Sequence, residues 1–140
     1  MNVNQKGSIG LIEVIRDLTK KGYECFTPLH DYSAVDLIIM NKEFQMKRIQ
    51  IKYREFTSNT ATVEFCSVVN GKRIPIDLSA IDGWAVYLPE VETVCYVSKS
   101  MIEEGTKSFR IRKIEGNTTI NIDRKPAPLY TNIINEAVFW

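Results

Sequence analysis

Apolar positions recur at helical spacing near the N-terminus and alternate with polar ones along most of the remaining chain. Leu11, Ile12, Ile15, Leu18 and Thr19 form one mostly apolar face of a helix expected over residues 6–22. Ser8 is its expected N-cap, and Lys20, Lys21 and Gly22 complement and end its C-terminus. Residues 23–29 alternate well enough for a first strand, stopped near Pro28, and residues 30–33 form a polar turn. Two runs rich in β-branched residues occupy residues 32–56, separated by Asn41, Lys42 and Glu43. They read as a hairpin.

Further along, residues 61–69 predict one strand and Asn70-Gly71 a tight turn. Residues 74–78, interrupted by Pro75, are an edge or a loop. Residues 84–88 and 93–97 are two strands expected to pair, and residues 98–104 one or two helical turns. Residues 108–114 alternate, with Phe109 and Ile111 on one side and Arg110 and Arg112 on the other. Gly116-Asn117 is a turn, Pro126 and Pro128 mark a boundary, and residues 129–137 are expected to be a short helix. This order predicts an α/β class (mixed, α+β-like), with a central mixed sheet flanked by helices. A single domain over residues 1–140 is expected, with a C-terminal extension after about residue 100.

Composition narrows the setting. A chain of 140 residues, 44% hydrophobic and 25% charged, can bury a substantial core. No apolar run approaches the ~20 residues of a membrane span, and residues 1–7 lack the apolar core of a signal peptide. A soluble, cytoplasmic protein is expected. Cys25, Cys66 and Cys95 are odd in number and far apart, and His30 is the single histidine. Buried free thiols fit better than a zinc site. The net charge of +1 neither advertises nor excludes nucleic-acid binding.

Strand alternation puts Gln50 and Lys52 on one face of the hairpin and Ile49, Ile51 and Tyr53 on the other. Asp36 opens the first strand. Read singly, Asp36 is a turn cap, Gln50 and Lys52 are a solvated face, and Glu13 is a surface helix residue. Read jointly, a helix packed on the hairpin brings Glu13 to it. The carboxylates of Glu13 and Asp36, the Gln50 amide oxygen and the Ile51 carbonyl are then hard oxygen donors suited to Mg²⁺. Lys52 is placed to orient or help deprotonate a water and to steady charge on a phosphate, as phosphodiester hydrolysis requires. Arg110 and Arg112 are candidate DNA contacts or a charged strand face, and Lys72 and Arg73 are phosphate contacts or an exposed turn.

At Asp36…Gln50-Ile51-Lys52, with Glu13 upstream, the chain resembles the PD-(D/E)XK nuclease superfamily. Lys6-Gly7-Ser8-Ile9-Gly10, Gly22-Tyr23, Thr27-Pro28, Val35-Asp36-Leu37-Ile38-Ile39 and residues 81–90 extend the likeness to a branch that includes intron-encoded homing endonucleases. Val35 stands where that pattern has proline, and Gln50 where it has an acid. The resemblance implies a restriction-endonuclease-like core and Mg²⁺-dependent cutting of double-stranded DNA. It makes Glu13, Asp36, Gln50 and Lys52 the catalytic set and homing endonuclease the leading subtype. A junction-resolving or repair nuclease and an inactive DNA-binding protein are the alternatives. Cutting two strands with so small a chain implies a homodimer or homotetramer.

Overall fold

Helix α1 spans Val3–Lys20 and starts three residues ahead of the expected position. Its cap is Asn2, not Ser8. Asn2 Oδ1 accepts from Gln5 N at 2.9 Å, and Gln5 Oε1 accepts from Asn2 N at 2.8 Å. This reciprocal box satisfies the first amides, so the helix extends and Ser8 falls inside it. The structure, a computed structural model, describes residues 1–30, 33–114, 117–122, 129–132, 137, 139 and 140. Asp31, Tyr32, Gly116, Pro126 and Pro128 of the sequence reading lie outside the described residues.

The strands are β1 (Glu24–Phe26), β2 (Leu37–Met40), β3 (Met46–Tyr53), β4 (Thr60–Glu64), β5 (Cys66–Val69), β6 (Lys72–Pro75), β7 (Gly83–Leu88), β8 (Thr93–Ser98), β9 (Ser108–Ile114), β10 (Asn117–Ile122) and β11 (Leu129–Asn132). The expected strand over residues 61–69 is split at Phe65 into β4 and β5, which join different sheets. Residues 129–132 pair with β10 as a strand where a helix was expected. There cross-strand pairing overrides a weak local helical pattern. The Lys99–Met101 segment is a single 3₁₀ turn.

A five-stranded sheet in the order β1-β2-β3-β7-β8 forms the centre, parallel between β3 and β7 and antiparallel elsewhere. The expected central mixed sheet is therefore present. One face is covered by α1, through Val14 and Leu18 against Leu37, Ile39, Ile49, Ala85 and Tyr96. The opposite face is covered by a second sheet, β11-β10-β9-β4. There Ala61, Val63, Phe109 and Ile111 meet Trp84, Val86, Leu88 and Cys95. The apolar residues of β3 and β7 thus divide between the two cores, Ile49, Ile51, Tyr53, Ala85 and Tyr87 toward α1 and Trp84, Val86 and Leu88 toward the second sheet. The third sheet, β5-β6, pairs only with itself. The cysteines are free thiols, and of the three Cys95 alone is fully buried.

Residues 81–90 hold two strands together. The Asp82 carboxylate accepts from Arg48 N at 2.7 Å and from the Arg48 guanidinium at 3.2 Å, fastening β3 to the start of β7. Burial raises the Asp82 pKa, but these bonds outweigh it and hold the carboxyl below its usual range. Gly83 sits under a tight roof. A Cβ there would lie 2.5 Å from the Val97 carbonyl oxygen and 2.5 Å from the Phe139 ring. Gly83→Ala is expected to cost about 1–3 kcal/mol by overpacking, read as a lower midpoint in urea unfolding.

Candidate active site

Asp36 lies where β2 and β3 part. Its N–H donates to the Ile49 carbonyl at 2.9 Å, continuing the ladder by one bond. One step further the ladder lacks a backbone acceptor, and Asp36 Oδ2 takes its place, accepting from Ile51 N at 2.8 Å. The carboxylate is thereby fixed in direction by the strand it faces. It borders a cleft of ≈ 590 Å³ whose other walls are Asn4, Gly7, Ser8 and Leu11 of α1, residues 27–30 after β1, Val35 and Ile51.

Gln50 and Lys52 share the opposite face, as alternation requires. Gln50 is only 3% exposed. It stands in register with Trp84 across the parallel pair, and its Oε1 accepts from Trp84 Nε1 at 3.2 Å. The amide oxygen that the sequence reading offers to a metal therefore already has a partner. Lys52 Nζ donates to the Cys66 carbonyl at 3.1 Å. Burial lowers its pKa, Arg54 lowers it further, and Asp36, Cys66 and Glu64 pull the other way. Asp36 Oδ2 holds the amide of Ile51, the residue just before Lys52.

Glu13 does not join them. Helix α1 covers the face that carries Ile51 and Tyr53, with Gly10 against both, whereas Gln50 and Lys52 point to the second sheet. Glu13 is absent from the cleft wall, and its neighbours are Arg16, 3.7 Å away, and Tyr87 of β7. Residues 4, 8 and 11 of the helix face the cleft, while residue 13 is turned toward β7. Glu13, expected as catalytic acid and metal ligand, is not in the wall of the cleft that Asp36 borders. Glu13→Gln is expected to change DNA cutting less than about threefold, because the removed charge lies outside the cleft and is partly exposed. Initial cutting rates of the two proteins check this.

His30, a turn residue by sequence, borders the Asp36 cleft. The role of Trp84 as the partner of Gln50 is not legible in the sequence. The link rests on a parallel pairing across 34 residues that no local pattern announces. Among the candidate DNA contacts, Arg110 and Arg112 pair in register with Thr62 and Thr60 and point away from Phe109 and Ile111. Lys72 is exposed on β6. Arg73, also on β6, bonds back to Glu64.

Among the described residues no three His, Cys, Asp or Glu side chains converge on a metal position. A hard cation is still compatible with the donors present. Mg²⁺ characteristically keeps several waters and takes one or two carboxylates together with substrate phosphates. Asp36, opening on a cleft that also exposes Ile51, supplies one such carboxylate. The chemistry of this donor set fits a cation held largely by water and substrate.

Comparison with known proteins bears on the fold and the family. A bacterial homing endonuclease, I-Ssp6803I, shares the fold with a TM-score of 0.67 and 16% sequence identity, over 83% of this chain and 82% of that one. No curated protein sequence matches significantly. The sequence model described as PD-(D/E)XK endonuclease matches residues 1–125. With residues 1–125 of 140 matched, the protein belongs to the PD-(D/E)XK endonuclease family.

Proposed function

We propose that this nuclease is a divalent-metal-dependent DNA endonuclease of the homing type, with Asp36 and Lys52 at its reacting centre. The observation that carries this reading is the Asp36 carboxylate fixed on the N–H of Ile51, the residue just before the half-buried Lys52. Asp36, with the Ile51 carbonyl, would hold Mg²⁺, which when bound polarises the phosphate and acidifies a water. Lys52 places positive charge where charge develops on the phosphate oxygens. Its lowered pKa brings the neutral amine closer to reach, and in that form Lys52 would accept the proton that the attacking water gives up. Gln50 holds the strand against Trp84 and contributes by fixing the direction of Lys52 two residues on. Arg110 and Arg112, on the outer face of the second sheet, supply charge for the DNA backbone. Double-strand cutting needs two centres, so two or four copies act together.

Incubating the protein with a duplex library and Mg²⁺, and sequencing the ends produced, tests the reading. Ends that depend on Mg²⁺ and vanish with EDTA support it, and a recurring sequence at the ends supports the homing type. A library left intact favours a second reading, a DNA-binding protein that has lost cutting. The engagement of Gln50 with Trp84 and the position of Glu13 outside the cleft are the observations behind that alternative.

A further inference from the structure

The β5–β6 ribbon stands apart from both larger sheets. Its strands pair only with each other, Cys66 with Pro75 through Val69 with Lys72. Asn70 and Gly71 join them with φ of +51° and +75°, the two left-handed positions of a type I′ hairpin. Every residue of β6 is exposed, and so is Val68 on β5. A bare ribbon showing Val68 and Ile74 to solvent is a poor design for a chain that works alone.

Its composition and its root both point to DNA. Residues 66–75 contain no carboxylate and carry Lys72 and Arg73, so the ribbon is complementary in charge to a phosphate backbone. A two-stranded ribbon fits the major groove, about 12 Å wide, where exposed apolar side chains meet thymine methyl groups. The root is bolted to the reacting centre. Phe65, just before β5, stacks on Trp84 with ring centroids 4.6 Å apart, and Trp84 holds Gln50. The Cys66 carbonyl, at the first ribbon position, accepts from Lys52. The Arg73 to Glu64 bond braces the ribbon at its base. A duplex gripped by the ribbon is therefore held at a set offset from Lys52.

We propose that the β5–β6 ribbon enters the major groove of the target duplex and supplies its sequence preference, with Ser67, Lys72 and Ile74, which the register places on one face, as the reading side chains. This deepens the endonuclease reading and rests on it. Four residues per strand span about 13 Å, so the ribbon reads roughly 4 consecutive base pairs at a rise of about 3.4 Å each.

Two measurements on the full chain test it. The triple variant Ser67→Ala/Lys72→Gln/Ile74→Thr changes side chains of that one face, and thermal melting confirms that it folds. In the library assay wild type is expected to show a run of roughly 4 preferred base pairs at a fixed distance from the cut, and the triple variant to lose that run while still cutting. Separately, binding of a fluorescent duplex in EDTA is measured against salt, and Lys72→Gln is expected to reduce the salt slope by about 1. An unchanged slope overturns the proposal, as does an unchanged preference in a protein that cuts. If wild type cuts nothing, the endonuclease reading fails on its own, and the salt slope alone decides for or against the ribbon.

Discussion

Replacing Asp36 with asparagine is expected to abolish DNA cutting while the chain stays folded. The amide oxygen of asparagine still accepts from Ile51 N–H, so the junction between β2 and β3 keeps the 2.8 Å bond that ends its ladder. What is lost is the negative charge that a cation needs and that supports the ammonium of Lys52. The expected fall in rate is about 10²–10³ or more, the scale for removing a charge-stabilising group from a reacting centre. Asp36→Ala separates the two roles of the residue. It removes the acceptor as well and leaves the Ile51 amide unpaired, which costs about 1–3 kcal/mol. Circular dichroism melts are therefore expected to put Asp36→Asn close to wild type and Asp36→Ala several degrees lower, with cutting lost in both. A folded Asp36→Asn protein that cuts at the wild-type rate would assign Asp36 a purely structural role.

Lys52→Met is expected to lower the cutting rate by about 10²–10⁴, the range for a group that moves protons or stabilises charge in the transition state. Its effect on stability has a distinct pH signature. The folded pKa of Lys52 is lowered, first by burial and then by Arg54. Between that value and the unfolded value of about 10.4, the unfolded chain binds more protons than the folded one. Stability contributed at this site therefore rises with pH through that window, and the charged lysine is a burden below it. The methionine variant has no such burden, but it leaves the Cys66 carbonyl without its donor. Relative to wild type it is expected to be most favourable near neutral pH and to lose that advantage as pH climbs toward about 10. Urea midpoints of the two proteins from neutral pH up through that window check the sign. Parallel curves would mean that Lys52 titrates as an ordinary surface lysine.

The hairpin is legible in the sequence because β-branched runs and a polar break are adjacent in the chain, and β2 and β3 pair as expected. The separation of Gln50 and Lys52 from Ile49 and Ile51 is legible because alternation is local. The surroundings of Glu13 are not legible in the sequence, because helical periodicity says only which side of α1 is apolar. It does not say which face of the sheet the helix will cover or which neighbour lies beside each turn. The second sheet takes the face on which the site's lysine lies, and nothing near residue 50 announces strands contributed by residues 60–64 and 108–114. Gln50 reads as polar and available. Its burial becomes visible only with the parallel register that sets it opposite Trp84. The Asn2–Gln5 box is readable at its spacing but lies upstream of the apolar pattern that places the helix.

Gln50 bears directly on competence. An acid at that buried position would face Trp84 Nε1 in a core closed by Phe65 and Phe109. Ionising it there would cost several kcal/mol. In this chain a neutral amide holds the strand, and the negative charge of the site rests on Asp36. That division of labour makes a single measurement decisive. Supercoiled plasmid carrying a target sequence recovered from the duplex library is incubated with wild type, with and without Mg²⁺, and with folded Asp36→Asn protein, and the nicked and linear forms are quantified over time. Cutting by wild type with Mg²⁺, and none by wild type in EDTA or by Asp36→Asn, is the predicted result. Cutting by Asp36→Asn at the wild-type rate, or an intact plasmid under every condition, would contradict it.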